Sequence, residues 1–353
     1  MARILYGVQG DGRGHAVRSL AVARHYPQHE FLFVSHSQGA EFLGRSYRVL
    51  EFISPVTLVQ RHRLASLPTF YQNLRFWVRR SATLESLVRE VCQFKPDYGI
   101  TDWEFFVPHI CRQLGIPCLS LDHQHIVTSA IPGIPLSQWP AYFGLYFSAT
   151  RIFNAAPEYL VVSFFLCGLS KRGGAYRVLP PILREPVLDL RPVDRGHVLS
   201  YQSTSTFKGY LPLLRSLPRP VVVYGQDVEG RDGNLLFKRL SEEGFLEDLE
   251  GCSYVICGGS HNVISEALYL GKPVFAFPIA GLFEQYLNVH HLRQLGYGDF
   301  SMKRHADPRL LSVFEENLDG YRENIRKGSF CGNGEVFETV DRFLTRGTIV
   351  DVP

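Results

Sequence analysis

The chain predicts an α/β protein of two doubly wound halves, each a mostly parallel sheet covered by helices. Three observations carry this. Short apolar runs of strand length alternate with helical patterns. A proline-rich segment then interrupts the alternation, and after it the same alternation restarts. A length of 353 residues fits two domains at roughly 100–200 residues each.

In the first half, residues 4–8 form a short apolar run beside glycines, read as a strand. Residues 16–25 read as a helix with Val17, Leu20, Ala21 and Ala23 on its apolar stripe. Residues 31–34, 98–101, 117–121 and 159–163 read as further strands, and residues 64–94 as mostly helical. Such alternation implies parallel strands buried on both faces. Residues 177–186 hold Pro180, Pro181 and Pro186, with Pro192 soon after. Proline lacks the N–H that a sheet or helix interior needs, so this stretch marks a boundary. The expected organisation is a first domain over 1–178, a linker over 179–192 and a second domain over 193–333. A final helix and tail over 334–353 would pack back towards the first domain. In the second half, residues 197–201, 221–224, 254–257 and 274–277 read as strands. Residues 209–216, 234–243 and 263–270 read as helices.

Bulk properties exclude several classes. A formal charge of +3 is too small to argue for nucleic acid. Seven cysteines without a CxxC pair suit neither a disulfide framework nor a zinc site, and fit a reducing cytoplasm. The N-terminus lacks the basic and apolar regions of a signal peptide. The longest apolar run, 160–169, is half the roughly 20 residues a membrane span needs.

The strongest chemistry lies at Gly258 to Asn288. A strand ends at Cys257 and two glycines follow, which permits a tight turn and close backbone approach. Ser260 or Asn262 can cap the next helix, whose exposed N–H groups and dipole suit a diphosphate. Glu266 lies four residues after Asn262, on the same helix face, where a carboxylate can accept bonds from ribose hydroxyls. The loop after the next strand carries Glu284, Gln285 and Asn288 towards the same crevice, because ligands of open α/β sheets bind beyond the carboxyl ends of strands.

Gly258-Gly-Ser-His, Glu266, Gly271-Lys-Pro, Pro278 and Glu284-Gln285 through Asn288 together resemble the donor-site signature of GT-B glycosyltransferases. The resembling groups are glycosyltransferase families 1 and 28, which include the transferase that makes lipid II. Residues 3–19, Ser163-Phe-Phe and Pro180-Pro-Ile-Leu-Arg184 resemble a little-characterised bacterial and archaeal branch. The resemblance implies a GT-B fold, two Rossmann-like domains facing each other across a cleft. It implies that Glu266 binds the ribose, that Gly259, Ser260, His261 and Asn262 bind the diphosphate, that Glu284 and Gln285 meet sugar hydroxyls, and that Gly258 and Asn288 belong to the same donor site. Ser203 matches a phosphate-contacting serine in a Gly-Ser loop, although Gln202 stands where the glycine usually is.

Gly10-Asp-Gly-Arg-Gly-His15 follows the first strand and precedes a helix. Alone it could suggest a dinucleotide site, but no acidic ribose ligand follows at the expected distance. By the resemblance, Gly12, Arg13 and Gly14 belong to a loop facing donor phosphates, and His15 stands at the place of a catalytic or acceptor-contacting histidine. An inverting transferase needs one base to take the acceptor's hydroxyl proton, and histidine suits that near neutral pH. Asp102 ends a neighbouring strand and would orient His15 or serve as the base. His123 and His125 end another strand and are further candidates. No DxD motif suggests a metal-bridged diphosphate, so no metal and no cofactor are expected.

Arg61, Arg63, Arg75, Arg79 and Arg80 lie among Leu67, Phe70, Tyr71, Phe76 and Trp77. The stretch 61–80 reads either as a core helix with a solvated basic face or as a surface touching anionic lipid at the inner face of the cytoplasmic membrane. The expected partners are a nucleotide-sugar donor, UDP-linked by the resemblance, and a hydroxyl acceptor. A lipid-linked acceptor and a cell-envelope glycan both remain open, as does the oligomeric state. Two other readings stay in view. One is a UDP-sugar 2-epimerase or hydrolase of the same fold. The other is a noncatalytic nucleotide-sugar-binding partner of another transferase.

Overall fold

The computed structural model describes residues 1–129, 133–165, 175–202, 209–226, 228–303, 307 and 309–350. The chain divides into two compact units. The first comprises Met1–Leu58, Ala65–Arg184 and Cys331–Pro353, and the second Val59–Leu64 and Glu185–Phe330.

Among the described residues, the first unit is built on seven strands. In spatial order they are Arg48–Glu51, Glu30–Ser35, Arg3–Val8, Tyr98–Asp102, Cys118–Asp122, Glu158–Val162 and Tyr176–Leu179. All neighbours are parallel. Alternation along Arg3–Val8 decides which residues meet which layer. Ile4, Tyr6 and Val8 join the core under the helices Gly14–His25 and Asn333–Arg346. Leu5 points to the opposite core, where Phe76 and Val91 of Ser66–Phe94 meet Ile110 of Phe106–Leu114.

The last helix is an integral part of this unit. Val336, Phe337, Val340 and Phe343 recur at helical spacing and are buried in the same cluster as Ile4 and Tyr6. Its start is stitched to residues 180–184. The Asn333 side chain accepts from Leu183 N at 2.8 Å and donates to Leu183 O at 2.8 Å, and Gly332 N donates to Pro181 O at 2.7 Å. A Cβ at Gly332 would stand 2.2 Å from Pro180 O, so only glycine fits this approach. The Pro-Pro-Ile-Leu-Arg run therefore ends the first unit as a backbone partner of the final helix.

Among the described residues, the large sheet of the second unit holds seven strands in the order Gly230–Asp232, Leu235–Phe237, Val221–Tyr224, His197–Tyr201, Cys252–Cys257, Val274–Ala276 and Gly298–Phe300. Among the described residues of this sheet, the edge strand Gly230–Asp232 alone runs antiparallel. Tyr210, Tyr254, Phe275, Phe277 and Phe314 fill one core face.

Two expectations are corrected here. The helix expected over 234–243 is the strand Leu235–Phe237, preceded by a tight reversal at Gly233, and the helix starts only at Glu242. Gly233 takes a positive φ of 62°, which turns the chain, and Ser241 caps the true helix by accepting from Gly244 N at 3.2 Å. The helix expected from residue 64 starts at Ser66. Before it, Val59–Gln60 and Arg63–Leu64 form a hairpin whose turn residues Arg61 and His62 both have positive φ. This hairpin packs with the second unit. Leu64 N donates to Ala280 O at 2.9 Å, Ala280 N donates to His62 O at 3.2 Å, and His62 Nε2 donates to Phe277 O at 3.0 Å.

Because Phe343 is fully buried, Phe343→Ala should destabilise the protein by about 3–5 kcal/mol. Denaturant unfolding measures this, and a loss below about 1 kcal/mol would contradict the helix's place in the core.

Candidate functional site

Each sheet has one place where the strand order reverses, and chemistry-bearing residues collect beyond the carboxyl ends at both. In the first unit the reversal falls between Arg3–Val8 and Tyr98–Asp102. Asp102 ends its strand there with no exposed side-chain surface. His15, in the first turn of Gly14–His25, places Nδ1 2.7 Å from Asp102 Oδ1 and keeps 15% of its side chain exposed, enough to be reached. Arg18, one turn later, donates Nη2 to Oδ1 at 2.6 Å and Nε to Oδ2 at 2.9 Å, and Ser19 Oγ donates to Oδ2 at 3.4 Å. Burial alone would raise the Asp102 carboxyl, but Arg18 and His15 outweigh it and hold it below the ordinary carboxylate range.

The glycine-rich loop wraps this pair. Gly12 has φ +79°, a conformation that suits glycine. Gly10 N donates to His36 Nε2 at 3.0 Å, while His36 Nδ1 lies 3.1 Å from Ser37 Oγ. Burial and then the nearby His15 lower His36 to about 4, so the ring stays neutral, with Nε2 also 2.7 Å from Gln9 Oε1. Arg13 is exposed and Gly14 half-buried at the start of the helix.

The two later histidines separate in role. His125 is buried beside Asp122, with Nδ1 2.6 Å from Oδ2, and its backbone N donates to Asp122 Oδ1 at 2.9 Å. Burial would raise Asp122, but His125 and Ser120 hold it at about 2. His125 is thus paired at Nδ1, while its buried Nε2 has no hydrogen-bond partner among the described residues. His123 Nδ1 donates to Val162 O at 2.8 Å. Between them, Gln124 reaches His15, its Nε2 standing 3.2 Å from His15 Nε2.

In the second unit the reversal falls between His197–Tyr201 and Cys252–Cys257. Gly258 and Gly259 leave the second of these strands. Gly259 has φ +86°, and a Cβ on it would meet Gln285 O at 3.2 Å. Asn288 holds this turn. It is fully buried and donates Nδ2 to Gly259 O at 3.1 Å. Ser260 occupies the cap position of helix His261–Tyr269 without a side-chain cap hydrogen bond, contrary to the expectation for Ser260. His261 and Glu266 are buried on this helix, and Asn262 is half-buried. Glu284 and Gln285 sit in the first turn of Phe283–Gln294, where Gln285 Oε1 accepts from Ile279 N at 2.9 Å and ties the loop to the helix. Ser203 lies outside the described residues.

Lys272 of the Gly-Lys-Pro segment has a structural task. Its Nζ donates to Val193 O at 2.5 Å and Cys252 O at 2.7 Å. Sequence reasoning missed Arg18, Gln124 and His36. Arg18 stands three residues after His15 on one helix, a spacing that puts both on one face. Gln124 and His36 had no such signal.

The sequence matches the model of glycosyl transferase family 1 over residues 2–319. An uncharacterized glycosyltransferase of Methanosarcina acetivorans is 22% identical, over 92% of this chain and 93% of its own. CalG4, the calicheamicin glycosyltransferase, superposes with a TM-score of 0.68 at 15% identity, over 98% of this chain and 99% of its own. Phytolacca americana UGT2, complexed with UDP-2fluoro-glucose and pterostilbene, gives 0.67 at 15% identity over the same shares. With these two the chain shares the GT-B fold. A family match over nine-tenths of the chain, on a fold of two such sheets, makes this protein a glycosyltransferase belonging to glycosyl transferase family 1.

Proposed function

We propose that this glycosyltransferase moves a sugar from a nucleotide-sugar donor, a UDP-sugar, to a hydroxyl acceptor with inversion and without a metal ion. The observation that carries the donor half is the uncapped start of helix His261–Tyr269 behind the Gly258-Gly259 turn. Its N–H groups and dipole suit a diphosphate, with Ser260, His261 and Asn262 around it and Glu266 one turn on for the ribose. Glu284 and Gln285 take the sugar hydroxyls, and Asn288 acts by holding the turn. Ser203 keeps its proposed phosphate contact from the resemblance. The UDP-sugar bound by Phytolacca americana UGT2 favours the same donor class here.

The chemical step is one displacement. The acceptor oxygen forms a bond to the anomeric carbon as the bond to the diphosphate oxygen breaks. His15 Nε2 takes the hydroxyl proton, and Asp102 accepts from Nδ1–H and steadies the imidazolium. Gly12, Arg13 and Gly14 line the loop that meets the leaving group, whose charge is balanced by amide dipoles and cations. His123 borders the acceptor side, and His125 supports the strand end from within.

A lipid surface is the partner that the helix Ser66–Phe94 favours. Leu67, Phe70, Tyr71, Leu74 and Val78 are exposed, and their spacing puts them on one face. The core reading of this stretch holds for Phe76, which is buried, and for Trp77, which packs against the same core. Arg75 and Arg79 flank the stripe, a pairing suited to an anionic bilayer and an acceptor drawn from it. Among the described residues no helix is long and apolar enough to cross a membrane.

Four measurements test these assignments. UDP or a UDP-sugar at 100 times its dissociation constant should stabilise the protein by roughly 2.7 kcal/mol, and Glu266→Ala should abolish the shift. A panel of nucleotides without any such shift would remove the donor reading. His15→Ala and Asp102→Asn should each lower kcat by about 10²- to 10⁴-fold, with activity retained in EDTA. Complete conversion of donor without acceptor would instead indicate an epimerase, and inertness towards every acceptor a binding partner. Arg75→Glu with Phe70→Ser should abolish flotation with anionic liposomes, and unchanged flotation would discard the lipid surface. The loop also predicts a pH response. His36 has a folded pKa below its unfolded one, so the unfolded chain binds more protons between pH 6.5 and 4 and stability falls as pH drops through that window. Unfolding at pH 7 and 4.5 should show roughly 2 kcal/mol more loss in wild type than in His36→Gln.

A further inference from the structure

The ring of His15 is fixed at both nitrogens. Asp102 is held ionised by Arg18, so a lone pair on Nδ1 at 2.7 Å from Oδ1 would meet another lone pair, and Nδ1 must carry a hydrogen. At the other nitrogen stands the Gln124 carboxamide. Its Oε1 accepts from His123 N at 3.3 Å, and reversing the amide would set two donors against each other there. The Gln124 amide nitrogen therefore faces His15 Nε2 at 3.2 Å and donates to it, which requires Nε2 to hold a lone pair. Gln124 is itself buried, with only 5% of its surface exposed, so it is a set part of the strand end.

We propose that Gln124 is a positioning residue: it keeps His15 Nε2 as a proton acceptor and occupies the place that the acceptor hydroxyl takes over. This rests on His15 as the base. A hydroxyl donates to Nε2 as the amide does, so an incoming acceptor exchanges one donor for another while the ring keeps its tautomer. Water or a poorly placed hydroxyl must displace the amide to be deprotonated, which biases the site against hydrolysing the donor. The charged and titratable groups facing His15 are Asp102 on the neighbouring strand, Arg18 on its own helix, Asp11 in the glycine-rich loop and His36. None of them meets Nε2 as Gln124 does, so the effect of Gln124 is separable from theirs.

The test has two arms. In the intact wild-type protein, without donor or acceptor, ¹⁵N-resolved spectra of His15 at pH 8 should show the Nδ1–H tautomer, and Gln124→Glu should move Nε2 to the protonated form. In the steady state, Gln124→Glu should raise the acid limb of the kcat/KM profile by about one pH unit, because a carboxylate within contact favours the charged ring. Gln124→Met should raise donor hydrolysis relative to transfer several-fold while the fold, followed by the same spectra, is kept. An Nε2–H tautomer in the wild type would overturn the proposal, as would an unmoved acid limb in Gln124→Glu when His15→Ala is inactive. If His15→Ala stays active, the base assignment fails instead, and the spectra still decide what Gln124 does to the ring.

Discussion

Parallel pairing is the constraint on which the molecule depends. Each crossover returns the chain to the same edge, so the carboxyl ends of all strands in a parallel sheet open together. The loop after Val8, the end of Asp102 and the turn after Asp122 therefore meet, although they are far apart in sequence. In the second unit the same rule brings Gly258-Gly259 next to Gln202, whose Oε1 would stand 2.9 Å from a Cβ at Gly258. The reversal of strand order keeps helices from covering these points.

Burial then sets the electrostatics. Asp102 is fully enclosed and survives as a carboxylate because a guanidinium grips both its oxygens. Removing one partner of such a pair typically costs about 3–5 kcal/mol, since the remaining charge is stranded. Arg18 is accordingly tied to the fold as much as to the chemistry. It also shares the charge of Asp102 through both carboxylate oxygens. Asp122 and His125 repeat the pairing one strand over, but sealed from solvent.

Much of this was legible from the sequence, for identifiable reasons. The Gly258 to Asn288 segment could be read because its turn, helix start and carboxylate are close along the chain, and local spacing maps onto one helix face. His15 was readable at the helix start after the glycine-rich loop, and Asp102 at a strand end. Asp102 orienting His15 was one of two expected roles, but the grip of Arg18 on the same carboxylate was not foreseen, since Arg18 and Asp102 stand 84 positions apart in sequence. Gln124 carries no spacing signal, because its role comes from a turn that only the fold orients. Leu235-Leu-Phe misled because a short apolar run suits helix and strand alike. The roles of Lys272 and Asn288 were also hidden. Both look like ligand-binding side chains in a motif and both hold backbone carbonyls.

Neither unit is one continuous stretch of chain, and this orders their birth. As synthesis proceeds from the N-terminus, the first sheet emerges early but lacks Val336, Val340 and Phe343 on one face. Those residues leave the ribosome only after the entire second unit. For that interval the first unit must keep an apolar face open while later residues fold, a state in which chaperone contact or premature association is most costly. The hairpin at 59–64 waits in the same way, made before Ala280 exists to pair with it. Helix Asn333–Arg346 thus acts as the closing latch of a unit begun before the second one.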